Sequence, residues 1–511
     1  MEGVLIPATD PSGSNLPEIG DNLAPDPSGS PGERPSWWRG PGGGAEVLAV
    51  AAPLVVSSLS WTVMTFVDRM MLSNWSGAAM SAAFVATVAW WAVVCLPVGL
   101  CSYTGTFVAQ YHGSNQPQRI GPAVWQGVWV ALAVSPLVLA LVPLAGPLFA
   151  LAGHTGEAAA LEARYFQLMC YGAPAMLLAQ SLSSFYSGRS KTVLVMLVDT
   201  TYALVNLVLD YWWIFGLSIS WQGEAVRIFP AMGIDGAGWA TVLSLWLKAA
   251  TYLVLMLRAD NRLRFRADDW RIDWALAGRL FRFGAPSGVQ MLLDVLGFTV
   301  FIVLVGRLGA VESEATSMTF SIGSLAFMPI CGLGLAASIL VGQHLGENRD
   351  VAAARATWTT LHVAWAYMAV VSLLLLGVPQ IFLWGFFASP TPVAGETAPR
   401  EAVAATALVL MRFVACYNFM DAMLIVFVSA LKGAGDTRFV LLVSLVMGFL
   451  LATLSLLAVE VFQAGIYGCW ALVSCWIATL GILFFLRFLQ GKWRSMRVIE
   501  MDQGHPDALS H

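Results

Sequence analysis

A carboxamide and a carboxylate stand one helical turn apart in "NLVLDYWWIFG" (residues 206–216), at Asn206 and Asp210, with only apolar residues between them. Asp199, Tyr202, Asn206, Asp210 and Trp213 follow one another at spacings of three and four. On a helix they project from one face. Lipid cannot satisfy such a stripe, so it must look into protein or water.

Other acids raise the same question. Asp68 closes "WTVMTFVDRMML", where it could also cap a helix at the interface or pair with Arg69. Asp294 lies in "GAPSGVQMLLDVLGF" with Gln290 one turn before it. Asp421 lies in "CYNFMDAMLIVFVSALKG" with Tyr417 and Asn418 on its face. A carboxylate at bilayer depth costs several kcal/mol, so each needs a partner, a wet cavity or a task. Asp294 and Asp421, with amides and hydroxyls nearby, are suited to hold a hard cation such as sodium, to exchange a proton, or to match a cationic drug. Asp199 has a simpler expectation: Lys248 lies at comparable depth in the next apolar segment, so the two should form a structural ion pair.

The elements that position these residues follow from composition. The chain has 511 residues, 58% of them hydrophobic and only 11% charged, against about 25% charged in soluble domains. Most of it must therefore face lipid or other apolar helices. A net charge of −4 offers no basic field for nucleic acid. The seven cysteines fall inside apolar runs without metal or disulfide spacing. Residues 1–44, rich in Pro, Gly and Ser, are expected to be a disordered cytoplasmic tail, and 491–511 a polar C-terminal one.

Between the tails, twelve stretches reach the ~20 apolar residues that a spanning helix needs. With both termini cytoplasmic, the inner segments collect about twenty of the 27 Lys and Arg, seven of them in the 258–282 loop. The two halves repeat. "LPVGLCSYTGTFVAQYHGSN" (96–115) matches "MPICGLGLAASILVGQHLGEN" (328–348), sharing a proline, a glutamine and a Gly-x-Asn turn. "FYSGRSKT" (185–192) matches "ALKGAGDT" (430–437). The expected fold is an all-α integral membrane protein of twelve transmembrane helices in two pseudo-symmetric six-helix lobes. The N-lobe would span 45–258 and the C-lobe 280–490, joined by a basic linker at 259–279. No nucleophile or metal constellation suggests an enzyme.

The spacing from Pro53 to Asp68, "NLVLDYWWIFG", "GIDGAGWAT", "VGRLGA" and "LKGAGDT" together resemble the multidrug and toxic compound extrusion (MATE) family, with the NorM-like branch favoured. The resemblance covers about residues 45–490. It implies a two-lobe antiporter of the inner (plasma) membrane that exports organic cations in exchange for sodium or protons, without other cofactors. It also implies an N-lobe cation site of Asp68, Asn206, Asp210 and Thr241, flanked by Tyr202. A C-lobe site of Asp294 and Asp421, with Gln290 and Asn418, would complement it. The expected partners are small organic substrates and membrane lipid, with the protein monomeric. A lipid-linked precursor flippase of related build is the alternative. "SGRSKT" departs from the family's Gly-Asp-Thr turn, and Asp stands at 294 where the branch usually has Glu.

Overall fold

The computed structural model describes residues 37–221, 224–387 and 399–500. Its first half holds α1 (Gly44–Trp75), α2 (Gly77–Ser102), α3 (Thr104–Gly113), α4 (Ile120–Leu139), α5 (Ala145–Leu151), α6 (Gly156–Ser187), α7 (Thr192–Phe215) and α8 (Ile234–Met256). A short helix α9 (Ala259–Phe265) leads to the second half: α10 (Trp274–Gly306), α11 (Ala310–Gly346), α12 (Asp350–Gly377), α13 (Pro379–Phe387), α14 (Arg400–Ala434), α15 (Thr437–Glu460) and α16 (Ile466–Leu489). Helices α2 and α3 form one span broken at Tyr103, which makes twelve spans in all. Among the described residues, eleven are apolar enough to cross a bilayer by length and composition. The twelfth, α6, is 32 residues long but more polar, and it packs among α2, α4 and α8.

The pairings repeat as the sequence does. Helix α1 packs on α7 as α10 packs on α15, α2 on α6 as α11 on α14, and α6 on α8 as α14 on α16. The halves join through α1 against α11 and α2 against α10, which are exchanged pairs of the same repeat. Between α7 and α8, residues 217–229 form an antiparallel hairpin of β1 (Leu217–Trp221) and β2 (Glu224–Phe229).

Of the segments expected as tails, 1–36 and 501–511 lie outside the described residues, whereas 37–44 and 491–500 pack on the bundle. Residues 37–43 lie on α12, where Thr359 Oγ1 donates to Gly42 O at 2.8 Å and Arg355 donates to Arg39 O at 3.0 Å. After α16, Trp493 stacks on Phe488 with centroids 4.7 Å apart. Arg494 reaches Asp350, and Glu500 pairs with Arg279 at 2.9 Å. The 259–279 linker is structured. It contains α9 and the first turns of α10, with Trp125 and Trp129 of α4 donating to Ala267 O and Trp270 O.

Helix α1 begins and α16 ends at one face of the bundle, here called the terminal end. Among the described residues, the hydrogen bonds joining the halves all lie there. Gln110 on α3 donates to Gly433 O at 3.0 Å and accepts from Val498 N at 2.8 Å. Its repeat partner, Gln343 on α11, donates to Gly188 O at 2.7 Å and accepts from Ser190 at 3.0 Å. Each glutamine thus clasps the α-helical turn of the opposite half. Close approach is possible because Gly113 and Gly346 follow the two glutamines by three residues. A Cβ on Gly113 would meet Gln343 O at 1.9 Å, and one on Gly346 would meet Gln110 O at 2.3 Å.

The seam continues inward. A Cβ on Gly99 would lie 2.7 Å from Gly288, and one on Gly332 would lie 2.8 Å from Val55. Gly77 and Gly306 lie close to the same helix faces as Gly99 and Gly288 but at the far end, and a Cβ there meets nothing.

Each neutral hydrogen bond contributes about 0.5–1.5 kcal/mol, so Gln110→Ala with Gln343→Ala should loosen this seam. Spin labels at Gln118→Cys and Val351→Cys, with the exposed Cys416 and Cys475 replaced by serine, read the separation of the halves. A longer-distance population should grow in each single variant and more in the pair. An unchanged distribution in the pair would show that the glutamines do not hold the seam.

Candidate cation site

Helices α1, α7 and α8 bring the first-half polar residues together. Asp68, Asn206, Asp210 and Thr241 are all buried. The Asp68 and Asp210 carboxyls face each other within interaction range. Asp68 is therefore not the interfacial cap that its place near the end of α1 allowed, although Arg69 does lie in its field. Asn206 Nδ2 donates to Thr241 Oγ1 at 3.5 Å, and Thr241 donates to Ala237 O at 3.1 Å. That leaves Asp68 Oδ1, both oxygens of Asp210 and Asn206 Oδ1 buried with no hydrogen-bond donor.

Four buried acceptor oxygens without a donor are an unstable arrangement unless something positive joins them. Two carboxyls in contact cannot both be anionic in an apolar interior without a counter-charge. The oxygens of two carboxylates and an amide are the ligand type that a hard monovalent cation accepts. A proton shared between the carboxyls would serve the same electrostatic need.

Tyr165 of α6 belongs to this group and was missed from the sequence. It lies within the field of Asp68, Asp210 and Arg69. Its segment, "LEARYFQ", carries its own charges and gave no hint of a deep position. Tyr202 lines a cavity together with Asn206 and Thr241, and its hydroxyl meets Thr251 Oγ1 of α8 at 2.5 Å. Asp199 pairs with Lys248 at 2.8 Å as the sequence suggested. It also accepts hydrogen bonds from Ser57 and from Tyr252, the latter at 2.8 Å.

The second half differs. Gln290 donates to Asp294, so the turn-apart pair is formed. Lys432 lies within electrostatic reach of Asp294. It was read only as part of the "LKGAGDT" turn, yet it sits in the last turn of α14 with its charge in the field of the acid. Asp421 stands near Tyr417 and Cys331 instead. Asn418 donates to Ser372 of α12 at 3.1 Å, away from both acids. Among the described residues, Asp294 is bonded by Gln290 and Asn418 by Ser372, and no hydrogen bond joins Asp294 to Asp421.

The MatE family model matches residues 53–212 and 286–456. The chain is 27% identical to a probable multidrug resistance protein NorM of Xanthomonas axonopodis pv. citri, over 76% of this chain and 81% of that protein. It is 28% identical to the multidrug resistance protein PmpM of Pseudomonas aeruginosa, over 78% and 80%. In fold it is similar to a multidrug resistance MATE family transporter of the MOP superfamily solved in an outward-facing conformation, with a TM-score of 0.78 at 17% identity over 89% of this chain and 97% of that one. The eukaryotic MATE transporter AtDTX14 gives a TM-score of 0.76 at 20% identity, over 88% and 96%. The two matched segments coincide with the two halves of the fold, and on that footing the chain belongs to the MatE family and is a multi-pass membrane transporter, not an enzyme.

Proposed function

We propose that this transporter is a cation-coupled antiporter that exports organic, cationic or amphipathic compounds across a cell's inner (plasma) membrane. Its termini would lie in the cytoplasm, and it would work as a monomer. The observation that carries the reading is the set of four donor-less buried oxygens on Asp68, Asn206 and Asp210. Sodium or a proton entering this set neutralises it. The ion drives the cycle only if it binds one access state better than the other. The seam at the terminal end supplies one such state, closed toward the cytoplasm in the proposed orientation. A flippase for an anionic lipid-linked precursor would instead place cationic side chains at the depth where the first half places two acids.

The test is purified protein in proteoliposomes loaded with a fluorescent organic cation, with a sodium gradient and a pH gradient imposed separately. One of the two gradients should drive transport in the parent. Asp210→Asn keeps the shape and removes a charge. Because breaking a buried charge partnership costs about 3 kcal/mol or more, coupling-ion affinity should fall roughly 100-fold. Transport that neither gradient drives, or an Asp210→Asn variant that matches the parent, would sink the proposal.

The partners of the two acidic pairs also differ: Asp68 and Asp210 interact with each other, whereas Asp294 is bonded by Gln290. Groups in contact show coupling energies, whereas distant ones add within about 0.5 kcal/mol. A double-mutant cycle on transport rate should therefore be non-additive for Asp68→Asn with Asp210→Asn, and additive for Asp294→Asn with Asp421→Asn. Strong coupling in the second cycle would mean that the second-half acids do act as one site.

A further inference from the structure

Asp199 and Lys248 look like a structural pair, but their surroundings argue for more. They line a cavity in the first half together with Ser57, Trp61, Asn206 and Ser244. Asn206 is already a member of the cation site, so the cavity runs from that site to the ion pair. Along α7, eleven residues separate Asp210 from Asp199, about 16 Å at 1.5 Å per residue, directed toward the terminal end. Two oxygens on this lining, Asn206 Oδ1 and Ser244 Oγ, are buried and have no partner. A purely structural ion pair gives no reason for unpaired oxygens between it and a second pair of acids.

The hydrogen bonds around Asp199 are also suggestive. Lys248 Nζ and the Tyr252 hydroxyl both contact Oδ1 at 2.8 Å, while Ser57 donates to Oδ2. Ser57 and Tyr252 are neutral, so they fix the carboxylate in place without cancelling its charge. If the lysine swings away, Asp199 remains an oriented anion facing a cavity. Lys248 has the long, flexible stem that makes such a movement cheap. The buried Tyr252 that donates to Asp199 also reaches back toward Val195 O, one turn nearer the terminal end.

We propose that Asp199 is a second, transient station for the coupling cation. It would lie between the Asp68–Asp210 pair and the terminal end, with Lys248 as a tethered cation that holds the station until the ion arrives. The ion passes from one carboxylate to the next along the unpaired Asn206 and Ser244 oxygens. The ammonium moves into the cavity as the ion takes its place; for sodium no covalent bond changes, and for a proton the O–H bond lost at the Asp68–Asp210 pair is regained at Asp199. The proposal rests on the coupling role of the Asp68–Asp210 pair.

Two variants test it: Asp199→Asn, and Asp199→Asn with Lys248→Met, which removes both charges and leaves no lone buried ion. In proteoliposomes, gradient-driven transport of the fluorescent cation is compared with gradient-free exchange of the same compound, which needs no net passage of the ion. The ratio of driven to exchange rate should fall on the order of tenfold in both variants, as expected for one slowed ion step. A neutral-pair variant that keeps the parental ratio and the parental ion dependence would overturn the proposal and leave the pair structural. A parallel fall of both rates at an unaltered melting temperature would also overturn it. Asp210→Asn is measured alongside: if it too keeps the parental ratio, the cation-site reading fails, and not the relay alone.

Discussion

Two carboxyl groups in contact, with no donor between them, are the constraint around which the first half is organised. Asp68 arrives on α1 and Asp210 on α7, and α8 supplies Thr241 to hold the amide of Asn206. Burying such a group without compensation costs several kcal/mol in a low-dielectric setting. The packing of α1 on α7 and of α7 on α8 must therefore be tight enough to exclude lipid while leaving room for a cation. The polar stripe on α7 meets this demand by grading its partners. Asp199 is satisfied by a lysine, a tyrosine and a serine, Tyr202 by a threonine, and Asp210 by nothing in the protein.

The second half shares the fold but not this arrangement. Asp294 is held by Gln290 within the field of Lys432, and Asp421 has Tyr417 and Cys331 beside it. A repeat of helices therefore does not repeat the chemistry. What the halves do share is the seam, where the same glutamine and the same glycine recur and exchange partners across the interface. The symmetry is incomplete even there. Gln343 finds its second bond on the turn that it clasps, whereas Gln110 finds its own on Val498 of the C-terminal strap. The strap thus completes one half of a contact that the other half completes by itself.

Much of this was legible in the sequence, for identifiable reasons. Spacings of three and four placed Asp199, Asn206 and Asp210 on one face, and the depth of Lys248 predicted its partner. The span count held because apolar length is a one-dimensional property. The relative rotation of helices is not, which is why the bond from Asn418 to Ser372 of α12 could not be read from spacing. Lys432 was hidden because a turn motif locates a backbone and says nothing of where a long side chain reaches. Composition alone extended the N-terminal tail to residue 44, but Trp37 to Gly43 bend back onto α12. The hairpin at 217–229 was missed although "SISW" and "AVRIF" carry the β-branched and aromatic residues typical of strands.

One helix touches every part of this arrangement. From its start, α1 carries Glu46 beside His344 of the other half, then Leu54 and Val55 against Gly332, then Ser57 on Asp199, and finally Asp68 on Asp210. Pro53, inside the helix, removes one backbone hydrogen bond next to the seam contacts. A helix is stiff along its length except at such a point. Any shift of its far segment that follows a change of charge at Asp68 must therefore be taken up at Pro53 or passed on to the seam. The Asp68–Asp210 pair and the seam that closes the terminal end are thus two ends of one mechanical element, which is the physical connection that the proposed coupling needs.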